Sequence, residues 1–535
     1  MRTEPAPQRR AVLAGAGMVA ASHPAISLAG ARLLADGGNA IDATLAMAAM
    51  SWLALPGQCG IAGDAFAIVR EPDGRVWTMC GSGFGPDGGT PDFYREQGFA
   101  SLPLDGAFAV AVPGEVAALR AIEALGATRP LTELWEPVAA LADRGMPCTV
   151  KTREDVAAHA SAIARDPGAS SVFLPDGELP AVGRRLAQPE LAATIRRVAA
   201  DPGWFYDGEF AERAVSLLAG LGVPFSGEEW QASGVTTAAA AICAPYGGMT
   251  LHETPMPTPG WMVLQQAALC DGDLRETDLL GAPAVHRMAA AARIAFQDRW
   301  EHCGSDSDSW ADLLTQDAIR VRREQIRLGS FAAVPAGRPD GDTTSTLAVD
   351  ADGRAVSFIH SLAFTFGARL TVPGTGAVLN NRLGRGAYLI DGHPNQVRPR
   401  RRPLHTLNAW LLTDAEGQLR HVGNTPGGDG QVQWNLQLVS HLVDHGLDPQ
   451  QAVSAPRFTV FPGSDADVVG LPPELRCESR LPEAVRSGLR ELGHDVVVEG
   501  PWDAGGSALV ISVEQAGGVL SGGADPRQEG VVLGV

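Results

Sequence analysis

The sequence predicts a mixed α+β sandwich built around antiparallel strands, with a helical region packed against it. Three observations predict this. Helical and strand patterns alternate over the first ~110 residues, the mark of a mixed core. From about Pro113 to Gly222 the pattern is helical. After Thr343 the chain reads as strands, then helices, then strands again. At 535 residues it is long enough for two to four ordinary domains or one large multilayer domain.

The elements follow in order. "HPAISLAGARLLADGG" is an amphipathic helix (Ile26, Ala29, Leu33, Leu34) closed by Gly37-Gly38. "GGNAIDATLAMAAMSWLAL" is helical and apolar almost all round, so it belongs between layers. "DAFAIVREPDGRVWTMC" is a hairpin turning at Asp73-Gly74. "GEVAALRAIEALGA", "LTELWEPVAALADRG" and "PELAATIRRVAAD" carry the helical region, about 113–230, punctuated by Gly and Pro. "TPMPTPGWMVLQQAAL" is a Pro-rich loop entering a helix, and "PAVHRMAAAARIAFQDRW" is another strong helix. Residues 303–342 are polar, rich in Gly, Asp and Pro, and read as a linker around a short Arg-rich helix near 316–328. Beyond it, "STLAVDADGRAVSFIHS" alternates with period two about Asp352-Gly353. "HTLNAWLLTD" is strand-like, "GQVQWNLQLVSHLVDHG" is a helix, and "ALVISVEQAGGVLSGGAD" is a closing hairpin. There is no internal repeat.

Composition excludes several function classes. Hydrophobic residues at 45% and charged residues at 19% describe a globular chain with a large core. A formal net charge of −19 argues against nucleic acid as a partner. The seven cysteines are scattered without a CxxC pair, which fits buried thiols in a reducing, cytoplasmic setting rather than disulfides or zinc. The histidines are equally dispersed with no HExxH, so neither a metal nor another cofactor is expected. No apolar run approaches the ~20 residues of a membrane span. Near the start, "RRAVLAGAGMVAASHPAISLAGA" has the two arginines and small apolar residues of a twin-arginine signal, but His23-Pro24 interrupts the run.

The stretch "GRPDGDTTSTLAVDADGRAVSFIHS" carries the chemistry. A threonine hydroxyl is a poor nucleophile without a base in contact. Were the chain cut between Asp342 and Thr343, the new α-amine, with an ordinary pKa near ~8, would sit on the same residue as the hydroxyl and could take its proton. Read alone, Thr343 is more simply a β-branched residue opening a strand.

The wider pattern resembles the gamma-glutamyltransferase family. "DTTSTLAVDADGRAVS" is similar to its autoprocessing site, T-T-H-x-S-V-V-D: Thr343 matches the nucleophile, and Ser345 replaces the histidine. "GMVAASHPAISLAGARLLADGGNAIDAT" resembles its N-terminal signature, and "GIAGDAFAIV" stands at its Gly-rich G-I-G-G-G-F stretch. "AVPGEVAAL", "TPMPTPGWMVLQ", "HRMAAAARIAFQDR", "VLNNRLG", "RRPLHTLNAW" and "GNTPGGDGQ" follow in family order across nearly the whole chain. The resemblance therefore puts Gly17 onward in the folded body, against a cleaved signal there. It implies an Ntn-hydrolase four-layer αββα sandwich and a proenzyme that cuts itself. The products would be a large chain, 1–342, and a small chain, 343–535, held as a heterodimer that can assemble further. It also implies Thr343 as nucleophile, Gly427 and Gly428 as oxyanion donors, and Ser361 in place of a threonine touching the nucleophile. Glycine suits that oxyanion role because it allows close backbone approach.

The departures from the family pattern fall on one function. Ser82 in "CGSGFGP" stands where an arginine holds the glutamyl α-carboxylate, and Arg385 in "LNNRLGR" stands where an aspartate holds the α-ammonium. His405 and Thr406 replace paired serines, and Ala363 replaces an asparagine. Charge-assisted contacts of this kind are hard to replace, and an arginine repels the ammonium. The expected substrate is therefore a small anionic amide such as oxamate, as in the purine-degrading branch of the family, bound by Arg385, His405, Thr406 and Ser82, with Arg382 as a further candidate. Cephalosporin deacylation, gamma-glutamyl transfer with a relocated clamp, and an uncleaved binding scaffold stand as alternatives. Arg398 and Arg400–Arg402 either line the entrance or form a solvated loop.

Overall fold

A computed structural model describes residues 9–328, 343–461, 471–514 and 518–535. Two seven-stranded sheets face each other. Strands within each are antiparallel. The first sheet runs, edge to edge, Val531–Gly534, Met18–Ala21, Thr344–Val349, Ala355–Ser361, Asp64–Arg70, Val76–Gly81 and Ala239–Ala240. The second runs Val12–Ala14, Leu520–Ala524, Leu509–Val513, Leu419–Asn424, Trp410–Thr413, Met249–Glu253 and Ile242–Tyr246.

Period-two alternation divides the side chains into three apolar layers. Met18, Phe66, Ile68, Leu347, Ile359, Leu411, Val422 and Ile511 fill the space between the sheets. Their strand neighbours Val19, Ala67, Ala348 and Phe358 point outward, onto helices Pro24–Ala35 and Ala40–Ala54. On the other side Trp410, Leu412 and Val510 meet helices Gly260–Cys270, Ala282–His302 and Gly430–Val443. Helix, sheet, sheet, helix: this is the αββα sandwich. Each aliphatic side chain buried in these layers stabilises it by about 1.5–3 kcal/mol.

Helix Ala40–Ala54 is buried along nearly its whole length, as its all-round apolar surface predicts. Asn39 caps it reciprocally with Asp42, and Asp350 Oδ2 accepts from Ala40 N at 2.9 Å. Asp350 also opens the turn after Thr344–Val349, where its Oδ1 accepts from the amides of Asp352 and Arg354. One carboxylate thus ties the central hairpin to the layer above it. The predicted helical region forms helices from Glu115 to Ser233, with one short two-stranded pairing, Met146–Pro147 with Arg185–Leu186. Met18–Ala21 is a fully buried strand of the first sheet.

The expected linker is more ordered than its composition predicts. Cys303 is buried, and Trp310–Leu313 and Gln316–Leu328 are helices. Arg322 pairs with the buried Asp298, and Arg323 Nη2 donates to the Ala268 carbonyl at 2.7 Å, which fixes the second helix on the core. Residues 329–342, Asp342 among them, lie outside the described residues.

Candidate active site

Strand register places four residues in one row. Thr344 faces His360, Ser361 faces Asp64, and Ala65 faces Gly81. Thr343, Ser361, Asp64 and Ser82 consequently lie side by side at one end of four inner strands of the first sheet, spanning ~14 Å at the usual strand spacing. Residues opposite one another in an antiparallel ladder share a face. Leu347, Ile359 and Phe66, an even number of positions away, belong to the inter-sheet core, so the row opens into the cleft between the sheets.

Thr343 is 3% exposed, and its Oγ1 donates to Ser361 Oγ at 3.2 Å. Ser361 Oγ also accepts from Ala363 N at 2.9 Å. Ala363 has φ +86°, in the left-handed region. Arg385 Nη1 donates to the Ala363 carbonyl at 3.0 Å, and its guanidinium lies 4.4 Å from the Phe364 ring centroid. Behind the strand, His360 Nδ1 is 2.7 Å from Glu115 Oε1, which also accepts from Trp52 Nε1 at 2.6 Å. The strand that ends in Ser361 is thereby backed by a buried polar contact on its helix side.

The middle of the row is charged. Asp64 Oδ2 accepts from Arg382 Nε at 3.0 Å, and both side chains are almost fully buried. Burial raises the Asp64 carboxyl to a pKa of about 6, against the opposing pull of Arg382. At the far end Ser82 Oγ lies 2.7 Å from His405 Nε2. Burial, reinforced by the charges of Arg382, Arg385 and Arg402, holds the His405 imidazole well below its ordinary range, so it is neutral at pH 7. Arg402 Nε donates to the Ser82 carbonyl at 2.8 Å, and its guanidinium stacks 4.1 Å from the Phe84 centroid. Thr406 is buried beside His405, its hydroxyl without a partner among the described residues.

Gly427 and Gly428 follow strand Leu419–Asn424 of the second sheet and lead into helix Gly430–Val443. Asn424 Nδ2 donates to Ser357 Oγ at 3.1 Å, which joins that strand to the one ending in Ser361. Gly427 has φ +128° and Gly428 +58°, and a Cβ on Gly427 would meet the Trp434 ring at 2.2 Å. Only glycine fits there. A turn of this kind can aim amide N–H groups at a developing oxyanion.

Of the residues expected from sequence, Thr343 and Ser361 are in contact, Ser82 and His405 are in contact, and Arg385 reaches the turn after Ser361. The arginine run is folded against carboxylates: Arg400 with Asp87 and Glu228, Arg398 and Arg401 with Asp306. Together with Arg402 these arginines line a cavity of about 470 Å³ that also borders Cys80 and Phe84. Sequence reasoning named Arg382 only beside Arg385 and His405 as a residue for the anion, and it missed Asp64. The signal for Asp64 was present, since it is the one charge in the glycine-containing stretch "GIAGDAF". Among the described residues no group of His, Cys, Asp or Glu is arranged to hold a metal ion, and no helix is long and apolar enough to cross a membrane.

A two-sheet sandwich between helical layers, with a threonine heading a central strand at the cleft, is the build of the N-terminal-nucleophile hydrolases, a class of enzymes. The chain belongs to the gamma-glutamyltranspeptidase family, whose model, described as Gamma-glutamyltranspeptidase, matches residues 26–535. It is 31% identical to the Glutathione hydrolase-like YwrD proenzyme of Bacillus subtilis over 527 residues, covering 97% of this chain and 98% of that one. It is 33% identical to the Oxamate amidohydrolase proenzyme of Klebsiella pneumoniae over 533 residues, with the same coverage. Among solved structures, cephalosporin acylase from Bacillus halodurans superposes with a TM-score of 0.88 at 28% identity, over 100% of this chain and 99% of that one.

Proposed function

We propose that this protein is a self-processing amidohydrolase that cleaves a small anionic amide such as oxamate. The chain is cut between Asp342 and Thr343, giving the large and small chains of one heterodimer. The freed α-amine then accepts the Thr343 hydroxyl proton as Oγ1 attacks the amide carbonyl carbon. N–H groups at Gly427 and Gly428 hold the oxyanion. The C–N bond breaks as the ammonium form of that amine returns the proton to the leaving nitrogen, which departs as ammonia or an amine. Water, deprotonated by the same amine, then opens the acyl ester to the free acid.

The observation that carries this reading is the gathering of Arg382, Arg385 and Arg402 around a neutral His405, with Asp64 as the carboxylate paired to Arg382. Such a cluster of cations favours an anion and repels an α-ammonium. Ser82 and His405 hydrogen-bond to each other where a glutamyl clamp would need an arginine. The test is ammonia release from oxamate beside hydrolysis of a gamma-glutamyl anilide by the processed protein. Turnover of the glutamyl compound alone would overturn the reading. A second reading, an acylase for a longer acyl chain ending in a carboxylate, is favoured by the arginine-lined cavity beside Phe84. Amides of longer dicarboxylic acids in the same assay separate the two.

A further inference from the structure

We infer that Arg385 is a positioning residue for the Thr343 hydroxyl and acts through the backbone of Ala363. The inference rests on the reading of Thr343 as the nucleophile. Three hydrogen bonds connect the two residues: Arg385 Nη1 to the Ala363 carbonyl at 3.0 Å, Ala363 N to Ser361 Oγ at 2.9 Å, and Thr343 Oγ1 to Ser361 Oγ at 3.2 Å. All four residues are buried.

The weak link is Ala363. At φ +86° its Cβ crowds its own backbone, a conformation that glycine and asparagine adopt readily and alanine resists. Phe366 and Arg369, on the same stretch, also have positive φ, at +59° and +54°. Strained residues persist only where their surroundings over-determine them. Here the carbonyl is fixed by a charged donor whose guanidinium is itself stacked on Phe364, and the amide is fixed on Ser361 Oγ. Without Arg385 the Ala363 carbonyl loses its charged donor and the strained turn rests on Asn381, whose Oδ1 accepts from Phe364 N at 3.0 Å and whose N donates to the Leu362 carbonyl at 3.1 Å. Ala363 then relaxes toward an ordinary φ. Its N–H then leaves Ser361, and the Ser361 hydroxyl can turn away from Thr343. The rotamer of the attacking oxygen is therefore set from Arg385, at the far end of this chain of contacts.

The test uses the full-length precursor and its own peptide bond as substrate, so recognition of a small-molecule anion does not enter. Self-cleavage before Thr343 is followed by gel and intact mass in the wild type, Arg385→Ala, and Arg385→Ala combined with Ala363→Gly or with Ala363→Asn. Arg385→Ala should slow cleavage roughly tenfold, about the worth of one charge-assisted hydrogen bond. Either second substitution should restore the rate to within about threefold, because both residues hold a positive φ without Arg385. Cleavage of Arg385→Ala at the wild-type rate, or a loss that neither substitution rescues, overturns the inference. Should Arg385→Ala fail to fold, Arg385→Gln is compared in the same backgrounds. Failure of the underlying reading looks different: Thr343→Ala would then cleave as the wild type does.

Discussion

Arg299 Nη1 lies 2.8 Å from Asp429 Oδ1, and both side chains are almost completely buried. Asp429 directly follows the Gly427-Gly428 turn and stands immediately before helix Gly430–Val443, while Arg299 belongs to helix Ala282–His302. A residue remote in sequence thus anchors the turn proposed to hold the oxyanion. Removing one member of a buried ion pair leaves the other charge unsolvated, at about 3–5 kcal/mol. Arg299→Ala should lose stability of that order in urea melts. The less disruptive Arg299→Lys should lower kcat more than it raises KM in steady-state kinetics.

Gly427→Ala should fold yet lose most activity. The added methyl would need to displace the Trp434 ring and adopt φ +128°. Misplacing one oxyanion donor costs about 10² to 10³ in kcat. Stopped-flow acylation measurements alongside thermal melts separate this loss from general destabilisation, and near-wild-type acylation would remove Gly427 from the oxyanion site.

Asp64 gives stability a pH signature. Its folded pKa of about 6 lies above its unfolded value, so between about pH 4 and pH 6 the native state keeps a proton that the unfolded state has lost. Relative to Asp64→Asn, the wild type should therefore lose on the order of 2–3 kcal/mol as pH rises through that window, and the difference should be flat above it. Denaturant melts of both proteins from pH 4 to 8 measure this directly. A difference that grows in the opposite direction would mean that Arg382 outweighs burial.

Thr343→Ala should remain a single 55.8 kDa chain without amidase activity, while the wild type yields a fragment whose N-terminal sequence begins at Thr343. Ser361→Ala should cleave more slowly yet still begin at the same residue, since it removes a hydrogen-bond partner and not the attacking oxygen.

Much of this architecture is legible in the sequence where the code is local. The hairpin from Thr344 to Ser361 follows from period-two alternation around Asp352-Gly353, and helix Ala40–Ala54 from its unbroken apolar surface. Candidate roles for Ser82 and His405 could be named, but not their mutual hydrogen bond, because 323 positions separate them and only the folded sheets bring them together. Asp64 escaped notice because a single carboxylate at a strand start carries no periodic signal. Only the register that sets it between Ser361 and Ser82 gives it meaning. The left-handed backbone at Ala363 is likewise invisible, since alanine, unlike glycine or asparagine, carries no signal for a positive φ.

The order of strands has a consequence for the protein after the proposed scission before Thr343. In the first sheet Met18–Ala21 is wedged between Val531–Gly534 and Thr344–Val349, and in the second Val12–Ala14 hydrogen-bonds to Leu520–Ala524. Segments from either side of residue 343 are woven through one another, so severing that single covalent link leaves every one of these ladders intact. The two pieces should then melt together in one transition, and neither should exchange with free copies of itself until the whole fabric comes apart.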